Sequence, residues 1–240
     1  MKVAFLSDIH ANFPALSAAL QCAAEGGAEE VVCAGDVVGG GPHPTEVVRL
    51  LVQHGVRAVR GNVESKVLEL AADPRKLKRA KDKKKGAPLA WTVKALGASE
   101  LAWLAALPAE LRADWGAGEV WVVHGSPLGD EDYIYPSITG PGLAPRLRGG
   151  HPAVLVCGHS HIPFVRTVAG TLVVNCGSVG RPVDGDPRGA LALADFSPGR
   201  RPSARILRFP YAIDGIAADI KARGVPRLDP VEYAFGIKRR

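Results

Sequence analysis

The sequence lacks the long apolar segments that membrane proteins and exported precursors carry. No apolar run approaches the roughly 20 residues that a helix needs to cross a bilayer. The apolar stretch nearest the N-terminus, Val3–Leu6, is interrupted at once by Ser7, Asp8 and His10, and no small-residue cleavage site follows it. We therefore expect a cytoplasmic protein with no membrane partner.

Cysteine is also scarce, and no two cysteines form a Cys-x-x-Cys pair. The four are scattered through apolar strand-like or helical runs, at Cys22, Cys33, Cys157 and Cys176. Free cysteine behaves as a small apolar side chain, and disulfides are rare in the cytoplasm. We expect buried thiols, with disulfides or a zinc knuckle as the alternative.

Excess positive charge is absent outside one segment. The 240-residue chain has a formal net charge of +6, and residues 75–85 (RKLKRAKDKKK) contain eight basic side chains and one aspartate. Without this segment, which carries +7, the net charge is −1. Such a block is usually solvated, and the alternative is that it steers an anionic partner. A nucleic-acid partner has no support beyond this run, because no aromatic residue interrupts it to stack on bases.

Short apolar runs alternate with amphipathic stretches in the first quarter of the chain. The predicted strands are Lys2–Leu6, Glu30–Ala34 and Gly55–Val59. The predicted helices are Phe13–Ala24 and Thr45–Gln53, the second with Thr45 as its predicted N-cap. Alternation of strand and helix predicts a parallel sheet built from βαβ units.

The rest of the chain divides into a helical part and a strand-rich part. Residues 64–107 have a helical pattern with no convincing strand, and we predict that they form a cap inserted into a single domain spanning residues 1–240. After Pro108 the predicted strands are Glu119–Val123, Ala153–Cys157, Phe164–Thr167, Thr171–Asn175, Ala190–Phe196 and Ala204–Phe209. A last helix is predicted at Ala212–Arg223, before a tail that ends in Lys238, Arg239 and Arg240. The predicted class is α/β, or α+β by some schemes, with layered mixed sheets flanked by helices.

Side chains of the kinds that bind metals follow the predicted strands, where open α/β sheets gather their ligands. They are Asp8, His10, Asp36, Asn62, His124, His159 and His161. Singly each motif is weak, since a lone histidine is more often a surface or core residue, but Gly-His-x-His is rare by chance. Imidazole with carboxylate suits manganese, iron, zinc, cobalt or nickel. The lack of a thiolate argues against a closed structural zinc site.

The ordered series Asp-x-His, Gly-Asp-x-x-Gly, Gly-Asn, His-Gly and Gly-His-x-His spans residues 6–161. It resembles the calcineurin-like metallophosphoesterase superfamily, which implies a metallo-dependent phosphatase-like β-sandwich. Asn175–Pro182 and Asp186-Pro187-Arg188 are similar to the bacterial and archaeal small phosphodiesterase branch. The helical stretch Trp91–Leu107 is similar to the cap of that branch.

The resemblance implies two divalent metal ions and assigns the residues that hold them. One ion would be held by Asp8, His10 and His161, and the other by Asn62, His124 and His159, with Asp36 bridging. Asp36, Asn62 and His124 are also the implied catalytic residues. A hydroxide between the ions would attack a small phosphorylated substrate in line. Phosphodiester hydrolysis is the implied reaction, and a protein phosphatase or a dinucleoside-polyphosphate hydrolase is the alternative.

One position departs from the family pattern. Many members carry histidine directly after Gly-Asn, placed to protonate the leaving oxygen, whereas this chain has Val63. General acid catalysis is worth about 10²–10⁴-fold, so we expect a preference for leaving groups that are already acidic, such as aryl or nucleotide groups. His43 is the nearby candidate for a replacement acid, and a water-exposed loop histidine is the alternative.

Two arginines could bind the substrate's phosphate. Arg181 and Arg188 each offer a bidentate fork to such oxygens, although surface arginines are commoner. Ser126 has no base nearby in sequence that would make a nucleophilic triad. A scaffold that has lost catalysis would be expected to show eroded ligands, and all seven positions hold competent ones. The oligomeric state is left open, a homo-oligomer included.

Overall fold

The computed structural model describes residues 1–237, and within them ten strands form two mixed five-stranded sheets. The strands are β1 (Lys2–Leu6), β2 (Glu30–Cys33), β3 (Arg57–Ala58), β4 (Glu110–Asp114), β5 (Glu119–Val123), β6 (Val154–Cys157), β7 (Phe164–Val168), β8 (Thr171–Asn175), β9 (Gly189–Asp195) and β10 (Ser203–Phe209). The helices are α1 (Phe13–Glu25), α2 (Pro44–Gln53), α3 (Asn62–Ala72), α4 (Pro74–Ala80), α5 (Gly86–Ala95), α6 (Ala98–Ala106), α7 (Gly140–Leu143), α8 (Ile213–Ala222) and α9 (Pro230–Phe235).

Each sheet combines parallel central strands with antiparallel outer ones. The first has the order β10-β9-β1-β2-β3, in which β1 and β3 run parallel to β2 while β9 is antiparallel to β1 and β10. The second has the order β4-β5-β6-β8-β7, with β5, β6 and β8 parallel. The parallel strands deliver their carboxyl ends to a common edge of each sheet.

The two sheets pack face to face around an apolar core, because successive side chains of a strand point to opposite faces. In β1, Val3 and Phe5 enter the core between the sheets, while Ala4 and Leu6 face the helices outside. Phe5 makes edge-to-face contacts with Trp115 and Phe196, at ring-centroid distances of 5.7 and 6.5 Å. The contact with Trp115, which directly follows β4, joins the two sheets.

Helices cover the outer face of the first sheet and continue into the segment predicted as a cap. Apolar residues of α1, α2, α3, α5 and α6 share one core cluster with that sheet. Residues 64–107 are helical and contain no strand, as expected. That this segment serves as a cap stays a prediction. Apolar residues of α8 and the segment up to Tyr233 form a smaller cluster of their own.

The predicted class, layered mixed sheets flanked by helices, is confirmed. All four cysteines are free, and three are fully buried. None of the helices in residues 1–237 combines the length and the hydropathy that crossing a membrane requires.

Several local predictions were wrong. Helix α2 begins at Pro44 after His43, so Thr45 is not its N-cap; its hydroxyl donates instead to Ala95 O at 2.9 Å. Proline suits the first helical position because its missing N–H has no partner there in any case. The strand predicted at Gly55–Val59 is only the two residues of β3, and β4, α7 and α9 were not predicted. The predicted basic tail, Lys238, Arg239 and Arg240, lies outside the described residues.

Candidate metal centre

Five of the seven ligand candidates have a left-handed backbone conformation. Asp8, His10, Asp36, His159 and His161 have φ angles of 54°, 51°, 53°, 60° and 57°. Residues with a Cβ adopt this conformation rarely, and such strain is concentrated at functional sites. The loops after β1, β2 and β6 are therefore shaped to turn these side chains toward one place.

One group of ligand atoms combines Asp8, His10 and His161, whose potential ligand atoms all lie within 4.8 Å of one another. His161 Nε2 is 3.0 Å from Asp8 Oδ1, and His10 Nε2 is 3.6 Å from the same oxygen. The two Nε2 atoms are 3.2 Å apart. Asp8 is fully buried, while His161 is partly exposed, so the group opens to solvent on one side.

A second group combines Asp36, His124 and His159, again within 4.8 Å. His124 Nε2 is 3.5 Å from Asp36 Oδ2 and 3.2 Å from His159 Nδ1. The amide of Asn62 joins them, with its Oδ1 3.1 Å from His124 Nε2. Asp36 Oδ2 is also 3.8 Å from His10 Nε2, which places this carboxylate between the two groups.

The hydrogen bonds on the far side of the rings indicate what the first group is built to bind. His10 Nδ1 is 2.9 Å from Gly39 O, and His161 Nδ1 is 2.5 Å from Arg181 O. A carbonyl only accepts, so each Nδ1 carries a proton, and in the neutral form of each ring the lone pair is then on Nε2. Two lone pairs then face each other beside Asp8 Oδ1, a buried atom without a hydrogen-bond partner. A cation satisfies all three atoms, so these residues fit a metal ion.

The amide of Asn62 lies among the acceptor atoms of the second group and can present either end to them. Its oxygen faces the acceptor atoms of this group, where an amide would ordinarily present its NH₂. Rotated by 180°, the NH₂ would lie within 3.3 Å of His124 Nε2, Asp36 Oδ2 and His159 Nδ1 and could donate to two of them, and the oxygen would accept from Lys66 Nζ at 3.1 Å. The unrotated amide suits a bound cation and the rotated one suits its absence.

Burial and neighbouring charge perturb the pKa values of the ligand candidates. Burial favours neutral Asp8, but His161 and His10 hold the pKa of its carboxyl well below the usual value. Burial lowers the pKa of His10. Burial also opposes the charged form of His124, yet the charge of Asp36 and its hydrogen bond raise the pKa of that ring to about 10. A proton and a metal ion would therefore compete for His124 Nε2.

Residues that do not bind metal hold the loops in place, and the sequence did not single them out. The buried carboxylate of Glu64 accepts hydrogen bonds from the backbone N–H groups of Asp36, Val38 and Gly61 at 2.9, 3.1 and 2.8 Å. Burial, together with the charge of Asp36, raises the pKa of Glu64 to about 7. Its position three residues after Gly61, at the start of α3, is the spacing of a capping box, the signal that could have identified it.

The carboxylate of Asp8 is supported from the neighbouring loops. Asp8 Oδ2 accepts from Ser7 Oγ at 2.7 Å and from the backbone N–H of His159 at 2.9 Å. The residue before His159 must be glycine, because a Cβ on Gly158 would lie 1.8 Å from Ser7 Oγ. Such support fixes the orientation of the carboxylate and leaves its Oδ1 for the site.

The three residues predicted to bind substrate, Arg181, Arg188 and His43, lie in different surroundings. Arg181 lies near the first group, since a Cβ on Gly40 would be 3.4 Å from His10 Nδ1 and 3.5 Å from Arg181 Nη1. Its guanidinium also pairs with Glu232 at 2.5 Å. Arg188 is exposed, and within residues 1–237 the ion pair of its side chain is with Asp186.

His43 and Ser126 occupy buried positions. His43 precedes α2, and its Nε2 is 3.0 Å from Asp219 Oδ2. The interpretation of His43 as a water-exposed loop histidine was therefore wrong, and its role as an acid stays a prediction. Ser126 Oγ donates to Asp132 Oδ2 at 2.5 Å. Asp132 is paired with Arg146, so Ser126 belongs to a structural network.

Val63 has an apolar setting. Its backbone N–H donates to Asp36 Oδ1 at 2.9 Å, so the position itself lies against the site. A Cβ on Gly39 would meet Val63 Cγ1 at 2.5 Å and Leu89 Cδ2 at 3.3 Å. The side chain that would carry the acid in other family members here packs against this loop.

Comparison with known proteins identifies the family of the chain. Residues 1–198 match the calcineurin-like phosphoesterase superfamily domain. The uncharacterized protein MJ0912 of Methanocaldococcus jannaschii is 30% identical over 213 residues, which cover 80% of this chain and 82% of that protein. Phosphodiesterase YfcE of Escherichia coli K12 is 42% identical over 77 residues, 28% of this chain and 42% of YfcE.

The fold has a close counterpart among solved structures. The crystal structure of the hypothetical protein PH1004 from Pyrococcus horikoshii aligns with 100% of this chain and 99% of its own, with a TM-score of 0.86 and 25% identity. The matched domain includes all seven ligand candidates. The chain therefore belongs to the calcineurin-like phosphoesterase superfamily, a metal-dependent family, and has His/Asp groups able to bind metal.

Proposed function

We propose that the protein hydrolyses phosphodiester bonds at a centre of two divalent metal ions. The observation that carries this proposal is the convergence of His10 Nε2, His161 Nε2 and Asp8 Oδ1, because a metal ion satisfies all three atoms together. The second group of ligand atoms, with Asp36 Oδ2 between the groups, supports a second ion.

Each ion has its own set of residues in this proposal. Asp8, His10 and His161 would hold one, and Asn62, His124 and His159 the other, while Asp36 would serve both. Two ions bound there would supply polarisation of the phosphoryl oxygens and activation of water near neutral pH. Manganese is one candidate, since this ligand set also suits iron, zinc, nickel or cobalt.

The residues of the chain supply position and charge. The left-handed loops and the hydrogen bonds of Glu64 hold Asp36 and Asn62 in place before substrate arrives. The carboxylates Asp8 and Asp36 bring two negative charges to two dications, so the loaded site keeps a net positive charge that attracts a phosphate anion.

The chain does not place a proton donor at position 63, and this shapes substrate choice. Val63 packs against the loop at Gly39 and carries no transferable proton. A leaving group must then depart without the assistance of that position, which favours groups with acidic conjugate acids. Diester preference is supported by the similarity to the phosphodiesterase YfcE over 77 residues.

The test is hydrolysis of bis(4-nitrophenyl) phosphate and 4-nitrophenyl phosphate by purified protein, first stripped with a chelator and then loaded with one divalent ion at a time. We expect metal-dependent cleavage, faster on the diester. Activity on the monoester alone would overturn the diesterase assignment. Less than one ion bound per chain, without activity on either ester, would favour a scaffold that has lost catalysis.

A further inference from the structure

We propose that Tyr133 and Tyr135 form an aromatic subsite that binds a planar ring of the substrate beside the metal centre. This inference rests on the proposed function and names its substrate class, phosphoesters that carry a nucleobase or an aryl group. It assigns a role to two residues outside the metal-ligand set.

The two tyrosines continue the metal centre outward. The Tyr133 ring lies 4.2 Å from the His159 ring, centroid to centroid, and His159 in turn lies 4.9 Å from His124. The Tyr135 ring is parallel to that of Tyr133, with an interplanar angle of 4° and a centroid distance of 5.4 Å. A row of rings thus leads from the second ligand group to the surface.

The side chains of Tyr133 and Tyr135 are both exposed, whereas that of Tyr233, near the first ligand group, is buried. Tyr133 and Tyr135 are 42% and 43% exposed, whereas Tyr233 is 1% exposed and donates its hydroxyl to Gly40 O. Exposed large apolar side chains are usually scattered singly over a protein surface. Two that stack on each other next to a ligand candidate form an open aromatic surface at the centre.

The loop that carries the tyrosines is held at several points. Asp130 Oδ2 accepts from Ser65 Oγ at 3.0 Å, and Glu131 pairs with Lys66 Nζ at 2.5 Å, so the loop is tied to α3. Asp132 is paired with Arg146 on its other side. A surface fixed in this way loses little conformational entropy when a ligand stacks on it.

Two independent features favour the same substrate class. A ring stacked on an aromatic side chain binds in a sequence-tolerant way, because every base and every aryl group presents a π-face. The valine at position 63 separately favours acidic leaving groups. An aryl leaving group is both acidic and planar, and a nucleotide leaving group combines an acidic phosphate with a planar base. A small alkyl ester would satisfy neither feature.

The experiment measures binding to the manganese-loaded protein by calorimetry with two matched ligand pairs. AMP and ribose 5-phosphate differ by a nucleobase, and phenylphosphonate and methylphosphonate differ by an aryl ring. We expect the aromatic member of at least one pair to bind about tenfold more tightly or better, the range of a single stacked ring. Preference in the first pair alone identifies a nucleobase, and preference in the second pair alone identifies an aryl group.

Variants test whether the tyrosines cause the preference. Tyr133→Leu and Tyr135→Leu should bring the ratio of dissociation constants within each pair close to one, while Tyr133→Phe and Tyr135→Phe should keep it. Leu128→Ala is the matched control, an exposed apolar residue of the same loop (56% exposed), and should leave the ratio unchanged.

Three results would overturn the subsite. The first is equal affinity within both pairs for the wild-type protein. The second is a preference that survives both leucine variants. The third is that the leucine variants weaken the binding of both members of each pair equally, which would mean that Tyr133 only supports His159. If the wild-type protein also fails to bind any of the four ligands and to cleave bis(4-nitrophenyl) phosphate, the proposed function fails together with the subsite; normal cleavage would confine the failure to the subsite.

Discussion

Replacing Glu64 should loosen the loops that carry Asp36 and Asn62 without removing any metal ligand. The buried carboxylate accepts three backbone hydrogen bonds, from Asp36, Val38 and Gly61. One oxygen, Oε2, serves both Asp36 and Gly61, and the other, Oε1, serves Val38. The residue therefore joins the loop after β2 to the start of α3.

The geometry predicts different losses for two variants. Glu64→Ala leaves three buried donors without a partner, each costing about 1–3 kcal/mol, but it also removes a carboxylate that is costly to bury. We expect the free energy of unfolding to fall by about 3–5 kcal/mol. In Glu64→Gln the amide oxygen can still serve Asp36 and Gly61 while its NH₂ opposes the N–H of Val38, so the expected loss is about 1–3 kcal/mol.

Glu100 offers a matched control away from the metal centre. It lies three residues after Gly97 at the start of α6, and its Oε2 accepts from the Gly97 N–H at 3.1 Å. Glu100→Ala should cost about 1–2 kcal/mol of stability, the value of one helix cap, and leave metal affinity unchanged. Urea unfolding with a chelator present gives the stabilities, and titration with manganese gives the affinities.

The manganese affinity of the Glu64→Gln variant decides whether Glu64 positions the metal ligands. Support around metal ligands is typically worth about 10–100-fold in affinity, so Glu64→Gln should weaken manganese binding within that range. Wild-type affinity in Glu64→Gln, accompanied by the expected loss of stability, would show that Glu64 supports the fold alone. The proposed link from Glu64 to Asp36 would then be refuted.

Three further predictions address the site directly. His161→Ala should reduce the metal content of dialysed protein from two ions to one per chain, with His54→Ala as a control that retains two; unchanged content would remove His161 from the ligand set. Val63→His should raise the rate on alkyl diesters relative to aryl diesters, by up to about 10²-fold; an equal change on both would separate position 63 from the leaving group. If His43 is the acid, His43→Ala should slow alkyl esters more than aryl esters, and equal small effects would assign the residue to its contact with Asp219.

The local sequence pattern predicted most of the strands and helices. It did not predict a strand whose formation depends on its pairing partner. Continuous apolar runs mark β1 and β5, which bury both faces, and apolar residues at helical spacing mark α1, which buries one. Strand β4 (Glu110–Asp114) has charges at three of its five positions, and its apolar face consists of only Leu111 and Ala113. Its extended form depends on the antiparallel ladder with β5, a contact that a local pattern does not show.

The sequence by itself determined which side chains form the candidate site, because residues just after parallel strands are delivered to one edge of a sheet. Only the tertiary structure decided how they meet. Asp36 stands between His10 and His124 because the loops after β1, β2 and β5, which belong to two different sheets, come together across the sandwich. The stacking of Tyr133 beside His159 likewise joins segments that no sequence periodicity connects. Ligand identity is a local property of the chain, whereas the distances between ligands are set by the packing of the sheets.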